Sequence, residues 1–164
     1  MALESFKDLY LEQLRDLYNA EKQILDALPK MIEKVSHDEL RSGFEQHHAQ
    51  TREQVRRLEV IFDDLGERPG GEKCEGMEGL LKEGEKLMRE RASADVRDAA
   101  LIAAAQRVEH YEIAGYGCAR TYANLLGRQR DAGLLQQTLD EEGATDKKLT
   151  ALAERVVNID ALRE

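Results

Sequence analysis

The sequence predicts an all-α fold built on four long helices. Only 2 of the 164 residues are proline and none is tryptophan, while 35% carry a charge. The long runs consist of alanine, leucine, glutamate, lysine, arginine and glutamine, which are strong helix formers. Apolar residues recur at three- and four-residue spacing in four stretches, the period of one buried helix face. The chain length suits a single domain over residues 1–164.

The four long helices are delimited by the extent of these apolar stripes. Ser36-x-x-Glu39 reads as a capping box at the start of the second helix, and Gly66 ends it. A turn-rich linker follows, with a short amphipathic helix expected at about 77–89. The expected bounds are residues 3–34 for helix A, 37–65 for helix B, 94–126 for helix C and 131–161 for helix D.

The lengths of the connections predict the topology. Helices A and B, and likewise C and D, are joined by a few residues, which forces antiparallel neighbours. Helices B and C are separated by a crossover over residues 66–92. Two tight antiparallel hairpins joined by one long crossover form the connectivity of ferritin-like four-helix bundles.

The first half of helix C is apolar on almost every side, from Val96 to Val108. A helix of this kind is buried all round. Either the short 77–89 helix or a second copy of the chain must cover it, and we expect a homodimer because symmetric pairs are the commonest assembly.

Charged residues interrupt the apolar stripes of all four helices. These inward-facing candidates are Glu21 on helix A, Glu45 and His48 on helix B, Glu109 and Glu112 on helix C, and Glu142 and Asp146 on helix D. On helix B a stripe through Leu40, Phe44, His47 and Thr51 is an alternative that turns His47 inward instead. Unpaired buried carboxylates cost several kcal/mol each, so cations must accompany them.

The donor types favour metal ions. Two divalent ions would offset most of the negative charge, and carboxylate oxygens with an imidazole suit iron, manganese or similar ions. A glutamate on one helix followed by Glu-x-x-His on the next is the pattern of di-iron and di-manganese bundles. Position 145 is threonine where a second Glu-x-x-His would have histidine, so one ion would have an all-oxygen environment.

Four segments resemble the YciE/YciF family of bacterial ferritin-like proteins: residues 20–24, Glu45-x-x-His48, residues 108–113 and residues 139–142. The resemblance implies a rubrerythrin-like bundle, dimerisation, an association with stress responses and a dinuclear metal site. Transferred residue by residue, that site comprises Glu21, Glu45, His48, Glu109, Glu112, Glu142 and Asp146. The resemblance names no reaction and no catalytic residue.

The leading functional hypothesis is redox chemistry on O2 or peroxide at a centre of two metal ions. Iron is the favoured metal, with manganese or another divalent ion as the alternative. The alternative is a non-catalytic structural stress protein whose metals only neutralise an acidic interior. With two cysteines the chain has too few for a four-cysteine iron site, so electrons would come from a separate donor.

The composition excludes several other classes of function. The net charge of −9 argues against nucleic acid, which needs clustered lysine and arginine. The apolar run over residues 99–105 is too short to cross a bilayer, so no membrane association is expected. No secretory signal is visible at the N-terminus, and the two cysteines form no disulfide framework, so the expected compartment is the cytoplasm.

Overall fold

A computed structural model describes residues 3–164, and over that range all of the regular secondary structure is helical. The predicted all-α class is therefore confirmed. The helices are α1 (Phe6–Lys34), α2 (Asp38–Leu65), α3 (Glu75–Arg89), α4 (Ala94–Leu125), α5 (Gln129–Leu152) and α6 (Asn158–Leu162), with a π-helical turn (Ala153–Val157) between the last two. None of the helices in residues 3–164 combines the length and apolar character needed to cross a bilayer.

Four of these helices form the bundle. Helix α1 packs on α2 and α4, and α5 packs on the same two helices, so the four close into a ring. The α1–α2 and α4–α5 connections are short, and both α2 and α4 end before a glycine in the left-handed region, Gly66 and Gly127. The crossover carries α3. This is the ferritin-like arrangement of two hairpins and one long crossover.

Helix α3 lies outside the ring, against α1 and α4. Met77 is fully buried, and Leu80, Leu81 and Met88 pack on the same apolar core as Leu101 of α4. The short helix therefore covers part of the apolar surface of α4. Val96, near the start of α4, remains 42% exposed.

The start of α2 differs from the sequence prediction. The Ser36 capping box is absent, because the first residue before the helix is His37, whose side chain makes no capping bond. The carboxylate of Asp98 on α4 instead accepts hydrogen bonds from the backbone N–H groups of Ser36 and His37, at 3.1 and 2.7 Å. A capping box does occur at the start of α1, between Ser5 and Asp8.

The bundle has two apolar cores, one toward each end. One contains Leu14, Leu58 and Tyr116, and the other contains Ile24, Phe44 and Leu101. On every bundle helix the residues between these cores include buried polar side chains. They are Glu21 on α1, His47, Thr51 and Gln54 on α2, Glu109 and Glu112 on α4, and Thr138 and Glu142 on α5. A polar layer thus crosses the middle of the bundle.

Candidate metal centre

Six ligand-type side chains of this layer form what we call the central cluster: Glu21, His47, Gln54, Glu109, Glu112 and Glu142. Each is at most 4% exposed, and all four bundle helices contribute. Every position lies on the apolar stripe of its helix, with buried hydrophobic residues on either side in the chain. The hydrophobic packing of the helices is therefore what carries these polar groups into the interior.

Four members of the central cluster lie within reach of one ion. One ligand atom from each of His47, Glu109, Glu112 and Glu142 lies within 4.8 Å of the others. The Nε2 atom of His47 lies 3.2 Å from Oε1 of Glu109. Glutamate oxygens and an imidazole nitrogen so arranged are a suitable donor set for a transition metal.

Two neutral groups fix the orientation of the acids. The Tyr116 hydroxyl donates to Oε1 of Glu21 at 2.5 Å, and this tyrosine is itself fully buried. The Gln54 amide donates to Oε1 of Glu142 and, at 3.0 Å, to Glu141. Oε2 of Glu21 and Oε2 of Glu142 are buried and have no such donor.

Many polar atoms of the central cluster are unpartnered. Among residues 3–164 these buried atoms find no hydrogen-bond partner: Oε2 of Glu21, Glu109 and Glu142, both oxygens of Glu112, both ring nitrogens of His47 and Oε1 of Gln54. Buried polar groups are normally satisfied, and each exception requires an explanation. Metal ions would supply the missing contacts at once.

Burial and mutual repulsion strongly perturb the acids. Burial first, and then the neighbouring Glu142, raise the pKa of Glu109 to about 11. The pKa values of Glu21 and Glu112 also rise well above their ordinary range, first through burial and then through the charge of Glu142. Burial lowers the pKa of His47, which keeps its ring neutral and able to bind a metal.

Basic side chains do not provide the compensating charge. No lysine or arginine of the described range is buried. Arg57 comes close to this layer but pairs with Glu141, at 2.7 Å, and also donates to Thr138. Four carboxyl groups, one neutral imidazole and no buried cation fit a site for divalent metal.

On α2 the expected inward orientation of Glu45 and His48 is wrong. Glu45 is exposed, and His48 is half-buried with its Nδ1 3.3 Å from Arg52. The alternative stripe through His47 is the one observed. Successive helical residues are about 100° apart, and the buried positions Gln54, Leu58 and Ile61 centre the stripe on the side of His47.

On α5 the expected inward orientation of Asp146 is also wrong. Its Oδ1 lies 3.2 Å from His110 and accepts a hydrogen bond from Gln106 at 3.0 Å, at the edge of the α4–α5 contact. The aspartate side chain is short, and these two neighbours on α4 hold it there. Of the seven residues predicted as ligands, Glu21, Glu109, Glu112 and Glu142 therefore come together, whereas Glu45, His48 and Asp146 lie outside.

Gln54 is the member that the sequence prediction missed. It follows His47 by two helical turns, so the two share a face. A stripe drawn through His47 would have included it.

The family comparison agrees with this architecture. A family model described as "Domain of unknown function (DUF892)" matches residues 5–162, nearly the whole chain. The chain belongs to the DUF892 family. Protein YciF of Escherichia coli strain K12 is 43% identical to this chain over 159 residues, which are 96% of each chain. The resemblance to the YciE/YciF proteins is thereby confirmed.

Solved structures of similar proteins have the same fold. The crystal structure of the E. coli stress protein YciF superposes with a TM-score of 0.91 at 42% identity, covering 94% of this DUF892 chain and 98% of YciF. YcfI of Rhodopseudomonas palustris, suggested to be a structural protein, gives 0.88 at 42% identity over 90% and 94% of the two chains. A Xanthomonas campestris protein at 22% identity, with a TM-score of 0.79 and 97% of each chain covered, shares the fold.

Proposed function

We propose that the central cluster binds two divalent metal ions, and that the loaded protein performs redox chemistry on O2 or peroxide in stress protection. Iron is the favoured metal and manganese the alternative. The observation that carries the proposal is the set of orphaned donor atoms of His47, Glu109, Glu112 and Glu142, all buried and mutually within 4.8 Å. The similarity to the stress protein YciF supports the biological setting.

Charge supports two ions rather than one. Glu21, Glu109, Glu112 and Glu142 carry four negative charges when ionised, and two divalent ions would neutralise them. His47 would bind one of the two ions through nitrogen. Two ions that each gave up one electron would supply the two electrons that, with two protons, reduce one H2O2 to two H2O or one O2 to H2O2.

The protein's own groups would orient and shield such a centre. Tyr116 holds one oxygen of Glu21 and Gln54 holds one oxygen of Glu142, so each glutamate presents its other oxygen inward. The apolar cores on both sides exclude bulk water, which strengthens the attraction between carboxylates and cations.

The two ions would have unequal environments. Dinuclear bundles place Glu-x-x-His on two helices, but here α2 carries Phe44-x-x-His47 and α5 carries Glu142-x-x-Thr145. One imidazole thus remains where the full pattern has two. We expect the all-oxygen position to bind its ion more weakly and to tolerate manganese better.

Metal titration tests the binding half of the proposal. Isothermal titration of chelator-treated protein with Fe(II) or Mn(II), combined with elemental analysis, should give two ions per chain. His47→Ala and Glu142→Gln should each remove at least one ion. The matched controls His48→Ala and Glu45→Gln should leave both, because those side chains lie outside the central cluster. Equal losses from both pairs of variants would refute the assignment.

Anaerobic loading followed by an oxidant tests the redox half. Fe(II)-loaded protein should consume O2 or H2O2 stoichiometrically, and the Glu109→Gln, Glu142→Gln double variant should not. If neither the iron nor the manganese form consumes either oxidant, the redox function is excluded.

The second candidate is a purely structural stress protein. The similarity to the R. palustris protein, which is suggested to be structural, favours it. Under that hypothesis the same double variant protects stressed cells as well as the wild-type chain does. Loss of protection together with loss of oxidant consumption favours the redox function.

We also propose a homodimer, a separate electron donor and a cytoplasmic location. Val96 and Ala103 lie seven residues apart on α4 and are exposed, and a second copy would cover them. The cysteines Cys74 and Cys118 are both free, as a reducing compartment favours. Light scattering should return twice the chain mass, and a monomer would exclude this pairing.

A further inference from the structure

Two small cavities lie beside the central cluster. The inner cavity offers about 20 Å³ of room for the centre of a water-sized molecule. It touches His47 and Glu109 and lies between α1, α2, α3 and α4. The outer cavity, also about 20 Å³, reaches Lys30 and Glu85 at the surface between α1 and α3. The two cavities share five lining residues: Ala27, Met31, Leu81, Ala105 and Val108. They therefore adjoin, and together they extend from the surface to the His47 side of the cluster.

The walls of the inner cavity are hydrocarbon except at its end. Apart from His47 and Glu109, every lining side chain is aliphatic, aromatic or methionine. A water molecule in a cavity needs two to four polar partners, and cavities without them stay dry and take up apolar gases such as xenon. The inner cavity is thus a place for a small apolar molecule.

A larger groove lies between α2 and α5, with a volume of about 350 Å³. Its lining includes Phe44 and Thr145 but no member of the central cluster. The inner cavity, by contrast, is bounded by two members. The inner and outer cavities consequently offer the more direct approach to the central cluster.

We propose that the two cavities form the route by which O2 reaches the His47 side of the metal centre, so that O2 rather than peroxide is the oxidant. This inference rests on the proposed function. Hydrogen peroxide must give up hydrogen bonds to water on entering a hydrocarbon passage, and a charged oxidant loses far more. O2 has no such hydrogen bonds to lose.

Xenon tests the route without any metal. Crystals of the metal-free protein under xenon pressure should show a xenon atom in the inner or outer cavity. Ala27→Leu should abolish it, because Ala27 lines both cavities and is half-buried, so the larger side chain can turn into the space. Ala99→Leu is the matched control: Ala99 is half-buried on the same apolar core but lines neither cavity. Xenon missing from the wild-type protein overturns the inference.

Oxidation kinetics test the same variants with metal. Ala27→Leu should slow the reaction of the Fe(II)-loaded protein with O2 about tenfold, as blocking of an access route does, while the number of bound ions stays unchanged. Ala99→Leu should react as the wild type does. An unchanged O2 rate in Ala27→Leu, with xenon displaced, overturns the route.

Different results would exclude the reaction with O2 and the route through the cavities. If the wild-type protein binds metal but does not react with O2, the proposed use of O2 and the route built on it both fall, whatever the variants do. If the wild type reacts and Ala27→Leu reacts equally fast, the redox function stands and only the route is wrong.

Discussion

Two sets of buried acids in this bundle have opposite environments. Asp98 and Asp131 are 1% and 2% exposed, as deeply buried as the glutamates of the central cluster. Asp98 accepts hydrogen bonds from two backbone N–H groups just before α2. Asp131 forms an ion pair with Arg128 and accepts a hydrogen bond from the Tyr10 hydroxyl at 3.2 Å. The central glutamates leave oxygens without donors. Burial of an acid therefore does not by itself indicate a binding site, whereas unpartnered oxygens do.

Position along the helices explains the contrast. Asp98 accepts hydrogen bonds from Ser36 and His37, the two residues before α2, where the backbone N–H groups have no partner inside the helix. The backbone therefore supplies hydrogen-bond donors to an acid at such a place. The central glutamates face the middle of neighbouring helices, where every backbone N–H already donates to the carbonyl four residues earlier in its own helix. Only side chains or bound ions can satisfy them there.

The largest expected effect is the stabilisation by metal. At a free metal concentration about a thousand times the dissociation constant, one bound ion adds about 4 kcal/mol to the free energy of unfolding. Thermal unfolding with metal and with chelator should show this increment in the wild type and in Asp98→Ala. His47→Ala should lose most of it. An increment unaffected by His47→Ala would mean that the ion binds elsewhere.

The pH dependence of the metal-free protein comes next. Because the pKa of Glu109 rises to about 11 on folding, unfolding near neutral pH releases a proton, and stability falls as pH rises from about 4.3 through that value. One such proton corresponds to about 2.7 kcal/mol of stability gained between pH 8 and pH 6.

Urea unfolding at the two pH values measures this gain. The metal-loaded protein, whose ligands are already ionised, should not gain stability on acidification, because protons compete with the metal. Equal pH profiles with and without metal would contradict the assignment of the ligands.

Removing Asp98, a buried acid whose hydrogen bonds are satisfied, should have a smaller effect on the free energy of unfolding. Asp98→Ala leaves two backbone N–H groups at the start of α2 without their acceptor, a loss of about 1–2 kcal/mol. The loss should be the same with and without metal. Ser36→Ala is the control, since the Ser36 side chain makes no capping bond there. A larger loss from Ser36→Ala than from Asp98→Ala would restore the capping box that the sequence predicts.

The smallest effects belong to Glu45 and His48. Surface substitutions usually change stability by less than about 0.5 kcal/mol, and Glu45→Gln and His48→Ala should stay within that limit by urea unfolding. A loss of several times this size from either variant would place its side chain in the interior after all.

The sequence was sufficient to predict the acids on three helices. Glu21, Glu109 and Glu142 each fall on the line of apolar residues of their own helix, as Glu21 does between Leu17 and Ile24. On α2 the stripe could be drawn through either histidine. Adjacent residues differ by about 100°, and a wide apolar face tolerates either choice. Asp146 was mispredicted for another reason: its partners Gln106 and His110 lie on α4, remote in sequence.

What the sequence determined by itself was the four-helix scaffold, its hairpin connectivity and the acidity of its interior, because helical period and connection length are local properties. The tertiary structure alone decided that His47 and Gln54 complete the cluster, that Asp98 binds the backbone just before α2, and that α3 lines apolar cavities beside the site. Each of these depends on which residues of another helix come within a few ångströms, and no spacing along one helix records that.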